Sequence, residues 1–181
     1  MLIEEQFVEH TKNWINNVVI ASNFCPFASK VMRARKLHFR IESSEILSIC
    51  LEALLDECER LDKNPAIETT LILYPYTFHE FDHYLKFVEL AEKLIVKHDY
   101  EGIYQVASFH PDYCFAGEDE NDPANYTNRS PYPMLHILRE ASLTKVLGEY
   151  PDAHKIPGRN IRLSRERGEI FMRQLLHACF S

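Results

Sequence analysis

From Glu4 to Ile20, Phe7, Thr11, Trp14 and Val18 recur at helical spacing, which predicts an amphipathic helix. The pattern breaks at Ser22-Asn23-Phe24-Cys25-Pro26. Proline suits a first helical position, so a short second helix is predicted from Pro26 with Cys25 as its cap. Leu37 to Glu42 alternates apolar and polar residues, the period of a strand. Ser44 to Asp62 returns to helical register through Ile46, Ile49, Cys50, Ala53, Leu54 and Glu57. Thr69 to Tyr74 is β-branched and apolar and stops at Pro75, as a buried strand would. Glu80 to His98 places Phe81, Tyr84, Leu85, Val88 and Ala91 on one helical face, and Gly102 introduces a third strand, Ile103 to Phe109.

Strands alternating with helices predict an α/β (or α+β) domain over residues 1–181, with helices packed on a sheet of three to four strands. Right-handed crossovers would make neighbouring strands parallel. A split, ferredoxin-like arrangement is the alternative. Either way, the loops after the strands are where a site is expected.

The polar stretch from His110 to Ser130 is long for a connection inside a compact domain, which marks it as functional or disordered. Ser130 followed by Pro131 predicts a helix running to about Leu147, with Met134, Ile137, Leu138 and Ala141 as its stripe. After Pro151 the chain turns basic through Lys155, Arg159, Arg162, Arg165, Arg167 and Arg173. Asp99 to Ala124, by contrast, holds seven acids and no Lys or Arg. Acidic loop and basic tail either pack together or form two solvated faces. Ile156-Pro157-Gly158-Arg159-Asn160 reads as a turn. A last helix, Ser164 to Cys179, carries Ile170, Phe171, Leu175 and Ala178 on a face for packing or dimerisation.

Composition narrows the functional classes. Of 181 residues, 46% are hydrophobic and 26% charged, the proportions of a globular chain. Twenty Lys and Arg against 27 Asp and Glu leave −7, which argues against a general nucleic-acid binder. No run of about 18 apolar residues could span a membrane. An acidic N-terminus and five irregularly spaced cysteines fit reduced thiols in a cytoplasmic protein. With five glycines there is neither a dinucleotide fingerprint nor a P-loop.

Three segments carry candidate chemistry. Cys25, at a helix N-terminus, would have its thiolate stabilised by unpaired amides, as a nucleophile or a metal ligand. His110 ends a strand two residues before Asp112, where a carboxylate can orient an imidazole for acid–base work. Asn125, Tyr126, Asn128, Arg129 and Ser130 surround the predicted Ser130-Pro131 helix start, whose free N–H groups suit an anion. His136 one turn on, and Arg159 in the basic tail, are further contacts for an anionic small molecule. Cys25, His110, Asp112 and His136 together form a mixed set suited to a transition metal such as zinc or iron. The Phe24-Cys25-Pro26-Phe27-Ala28 turn resembles that of omega-class glutathione transferases, but the downstream order lacks a hairpin after a cis-proline.

The segments Asn23-Phe24-Cys25-Pro26-Phe27-Ala28, Glu68-Thr69-Thr70-Leu71, Ser108-Phe109-His110-Pro111-Asp112-Tyr113, Asn125-Tyr126-Thr127-Asn128-Arg129-Ser130-Pro131-Tyr132-Pro133-Met134-Leu135-His136 and Ile156-Pro157-x-Arg159-Asn160 occur in this order. In that order they resemble the bacterial and plant family catalogued as domain of unknown function 1415. The resemblance covers nearly the whole chain and implies a stand-alone domain without naming a substrate. Three readings follow. One is a hydrolase or transferase, or a binding protein, for an anionic metabolite, with Cys25, His110 and Asp112 catalytic. Another is a metalloprotein. The last is a non-catalytic regulatory domain whose acidic loop and basic tail engage a partner.

Overall fold

The computed structural model describes residues 3–150 and 152–181. Met1, Leu2 and Pro151, which bound the acidic N-terminus and the basic tail, lie outside the described residues. Helix α1 (Glu4–Trp14) runs without a break into a π-helical stretch, Ile15–Ile20. Phe7, Thr11, Trp14, Ile15 and Val18 face inward. Thr11 tolerates full burial because its hydroxyl donates to Phe7 O at 2.8 Å. The helix stops at Asn23, whose φ of 53° lies in the left-handed region that asparagine adopts most readily after glycine.

Next come α2 (Ala28–Arg33), β1 (Leu37–Ile41), α3 (Leu47–Lys63), β2 (Thr69–Leu73), α4 (Phe81–Lys97) and β3 (Tyr104–Phe109). The chain closes with β4 (Met134–Arg139), α5 (Glu140–Glu149), α6 (Ile156–Arg167) and α7 (Glu169–His177). The strands form one mixed sheet in the order β1-β2-β4-β3. β1 and β2 are parallel, joined by the α3 crossover. β2 and β3 also run in the same direction, but β4 lies between them, antiparallel to both. The α/β reading therefore holds. The order β-α-β-α-β-β is not the ferredoxin-like β-α-β-β-α-β.

Several predicted elements need correction. The helix expected from Ser130-Pro131 does not form; Met134–Arg139 is an inner strand, and the helix begins only at Glu140. Met134, Leu135 and Ile137 are all buried because both faces of this strand are covered. Such a strand reads as a continuous apolar run without a period of two. The turn expected over Ile156–Asn160 is the first turn of α6, where Pro157 needs no amide. The expected Ser164–Cys179 helix is divided at Gly168, whose φ of +83° is a glycine conformation. That division leaves Ile170 and Phe171 exposed and turns Met172 inward. Ile46, Ile49 and Leu85, predicted to face the core, are exposed.

One sheet face packs against α3 and α4 through Leu54, Cys58, Ile72, Tyr84, Phe87, Leu135 and Ile137. The other carries Phe7, Trp14, Val18, Leu71, Leu73, Tyr126, Met134 and Met172. Among the described residues no helix is long and apolar enough to cross a membrane.

Candidate functional site

The connection between β3 and β4 holds most of the predicted site residues. His110 is fully buried, between the rings of Phe81 and Tyr84, whose centroids lie 5.1 and 4.9 Å away. Its Nε2 lies 2.8 Å from Phe78 O, and its Nδ1 accepts the Asp112 backbone N–H at 3.0 Å. A carbonyl on one nitrogen and an N–H on the other fix the neutral tautomer with the proton on Nε2. Burial lowers the His110 pKa; the Phe78 carbonyl and the Asp112 charge only partly oppose it. Asp112 meets the ring through its main chain, and its residue is exposed. The expected acid–base pair is thus a buried clasp with both ring nitrogens occupied.

The anion cradle expected at Asn128-Arg129 is likewise turned inward. Arg129 donates from Nε to Tyr113 O at 3.1 Å and from Nη2 to Glu120 O at 2.7 Å. Its guanidinium also covers the Tyr126 ring at 4.7 Å. Asn125, fully buried, accepts from Phe115 N and donates to Asp119 O and Glu120 O. Asn128 Nδ2 reaches Ser108 O, and Ser130 Oγ donates to Tyr132 O. The main chain joins in: His110 N donates to Asn128 O and Ser130 N to His110 O. A connection this long has many carbonyls and little regular structure to satisfy them, and these side chains supply the donors. With no helix at Ser130-Pro131, the expected helix N-terminus is absent too.

His136 lies on β4, away from the loop. Its Nε2 is 2.7 Å from Thr69 Oγ1, whose own hydroxyl proton goes to Ile137 O. Burial lowers its pKa to about 4. Among the described residues no three His, Cys, Asp or Glu side chains stand together as a metal set. Cys25, His110, Asp112 and His136 are therefore not assembled as ligands.

The Cys25 segment has a different setting. The helix expected from Pro26 with Cys25 as its cap begins instead at Ala28, with Phe27 at the cap position. Burial raises the Cys25 thiol pKa, and the nearby Phe27 and Ala28 amides oppose it only in part. The turn is held from outside by α6. Asn160 Nδ2 donates to Phe24 O at 2.7 Å, Arg159 Nη2 to Asn23 O, and Arg167 Nη1 to Ser22 Oγ at 2.6 Å. Cys25 and Arg159, far apart in sequence, thus belong to one assembly. Beside it lies an open depression of about 240 Å³ lined by Ser22, Arg159, Arg162, Leu163 and Glu166. Among the described residues, Arg159, Arg162 and Glu166 form no ion pair. Sequence reasoning did not place Arg162, Leu163 and Glu166 in a site. With Arg159 they follow the i, i+3, i+4, i+7 spacing of one helical face, a signal hidden by reading Ile156–Asn160 as a turn.

The acidic loop and the basic tail do pack together. Arg165 contacts Asp122 at 2.6 Å and Glu118 at 3.1 Å. The regulatory reading, which needs both stretches free for a partner, loses part of its surface to this contact.

A family model described as "Protein of unknown function (DUF1415)" matches residues 6–174. No curated protein and no solved structure matches the chain.

Proposed function

The chain belongs to the DUF1415 family, and we propose that it binds a small anionic molecule in the depression between Ser22 and α6. The observation behind this reading is the pair of arginines on one helical face, neither with an acidic partner among the described residues. Arg159 is held at Nε and Nη2 by Asn160 Oδ1 and Asn23 O, so it offers an anion its remaining Nη1, while the Arg162 guanidinium has no side-chain partner among the described residues. A guanidinium fixed in this way loses little freedom on gripping a carboxylate or phosphate. Arg162, one turn on, brings the second charge. Leu163 offers an apolar wall, and Glu166 disfavours anions that extend past it.

The bound species is a metabolite-sized anion rather than a nucleic acid, since the chain carries −7 overall. No nucleophilic step is assigned to Cys25, because its raised pKa keeps the thiol protonated near neutrality. All five cysteines are free, which supports a reducing, cytoplasmic setting.

Titration of the full chain with inorganic phosphate and with a dicarboxylate, followed by amide NMR at low salt, tests the reading. Shifts are expected at Ser22 and along Arg159–Glu166, weakening as salt rises. Arg162→Ala is expected to weaken binding about tenfold, the order of one charge-assisted hydrogen bond. Shifts centred elsewhere, or affinity unchanged in Arg162→Ala, would overturn the site.

A further inference from the structure

Three buried side-chain polar atoms among the described residues have no hydrogen-bond partner in the protein: Glu57 Oε2, Thr70 Oγ1 and Ser164 Oγ. The first two lie in one interface, between α3 and the β1–β2 pair. On β1, Leu37, Phe39 and Ile41 join the core on the opposite face, so His38 and Arg40 point toward α3. Thr70 is the register partner of His38 and alternates with Leu71 and Leu73, so it shares the α3 side. Glu57 reaches this interface from α3 with its side chain fully buried.

The two carboxylate oxygens of Glu57 are unequally served. Oε1 takes Arg60 Nε at 3.0 Å and has Arg40 Nη1 at 3.7 Å. Oε2 faces His38 Nε2 at 3.7 Å, too far for a direct hydrogen bond. A bare buried carboxylate oxygen is among the costliest features a folded chain can hold. Retaining it, with an unpaired hydroxyl in the same interface, is understandable if both atoms bind the same guest.

We propose that this interface is a binding site for one small neutral molecule that both donates and accepts hydrogen bonds, water by size and chemistry. Glu57 Oε2, Thr70 Oγ1 and His38 Nε2 hold it. Three polar partners are the usual number for an internal water. Two guanidiniums already balance Glu57, and Asp56 and Glu42 are engaged with Arg40 at 2.9 and 3.3 Å. A metal cation would therefore meet two arginines, with Glu57 Oε2 the one buried carboxylate oxygen left to it. The His38 side chain is 33% exposed, so the guest exchanges past this ring and links buried Glu57 to solvent through it. The site is separate from the depression beside Ser22.

A high-resolution crystal structure of the full chain, with NMR cross-relaxation between water and the Thr70 methyl group, tests the site. The expected result is one ordered peak at hydrogen-bonding distance from all three atoms and a long-lived water contact in solution. Thr70→Val keeps the side-chain shape and removes the hydroxyl, and it is expected to shorten the water residence about tenfold. A dry interface in which His38 or Thr70 bonds Glu57 directly would overturn the proposal. So would a peak at metal-ligand distances, or a residence time unchanged in Thr70→Val.

Discussion

The connection from His110 to Met134 and the turn from Ser22 to Phe27 both interrupt regular structure with polar and aromatic residues, yet they satisfy their backbones in opposite ways. The long connection draws mainly on its own side chains: Asn125 and Arg129 serve the carbonyls of Tyr113, Asp119 and Glu120, and His110 clasps Phe78 and Asp112, while α1 and α4 add Trp14 Nε1 on Arg129 O and the Tyr84 hydroxyl on Met134 O. The short turn borrows donors from α6, through Arg159, Asn160 and Arg167. A long loop with little regular structure supplies most of its donors internally, so its most chemistry-like residues become its framework. A short turn held by a helix leaves that helix free to present further charge outward. Density of functional residue types thus marks where the backbone needs help, and uncommitted groups lie on the element giving the help.

The largest expected effect comes from His110→Ala. If His110 is framework, the substitution leaves a cavity, a buried Phe78 carbonyl and the Asp112 amide without partners. The expected loss is about 2–4 kcal/mol of unfolding free energy, measured by chemical denaturation. A variant as stable as the parent would return His110 to the list of groups free for catalysis.

A second test contrasts the loop with the strand that follows it. The His136 pKa falls to about 4 in the folded chain, through burial, against an ordinary value of 6.5. The unfolded chain therefore binds this proton more readily, and stability rises with pH across that interval. The contribution is complete above about pH 6.5 and is lost progressively as pH falls toward 4. Its size is roughly 1–3 kcal/mol, from the shift and the partial cover of the ring. His136→Leu is expected to flatten unfolding free energy against pH between those limits. The remaining slope then belongs to His110 and His38, whose pKa values burial lowers in the same direction. An unchanged slope in His136→Leu would show that the acid response does not come from β4.

The sequence is legible where one face of an element is buried and the other wet. α1, α3 and α4 have that character, β1 alternates apolar and polar residues, and β2, buried throughout, is legible instead from its β-branched apolar run stopping at Pro75; the predicted limits of these elements and of β3 agree with the structure within a few residues. β4, buried on both faces like β2, shows no alternation, and the Ser130-Pro131 pair before it imitates a helix start, so its apolar run reads as a helical stripe. α6 was obscured by Pro157 and Gly158, residues that mark turns elsewhere but here occupy a first helical turn. Within the site, the special segments were visible but their partners were not. Whether an arginine meets a ligand or a carbonyl depends on where a loop closes, and no spacing within Asn125–Ser130 encodes the positions of Tyr113 O and Glu120 O. The packing of acidic loop on basic tail was visible as an option from charge segregation alone. Its register, Arg165 on Asp122 and Glu118, was not.

That contact is the smallest lever and the one that joins the two regions. Arg165 holds the Asp122 carboxyl down at about 2, chiefly through its hydrogen bonds, against an ordinary value of 3.8. Asp122 also accepts the Ala124 amide and so caps the 3-10 turn Pro123–Thr127, which packs on α6. With the folded pKa below the unfolded one, the stabilisation is present above about pH 3.8 and disappears as pH falls through 2. Arg165→Ala is expected to lower the melting temperature by about 1–3 °C at neutral pH, because exposed pairs contribute little. The effect should shrink in high salt. Asp122→Asn would remove the charge and retain an amide oxygen for the cap, so it should reproduce the Arg165→Ala shift without adding to it. A much larger loss in Arg165→Ala, undiminished by salt, would mean that the long connection also depends on α6 for its shape. The distinction between a self-supported loop and a borrowed turn would then fail at α6, the helix both regions pack against.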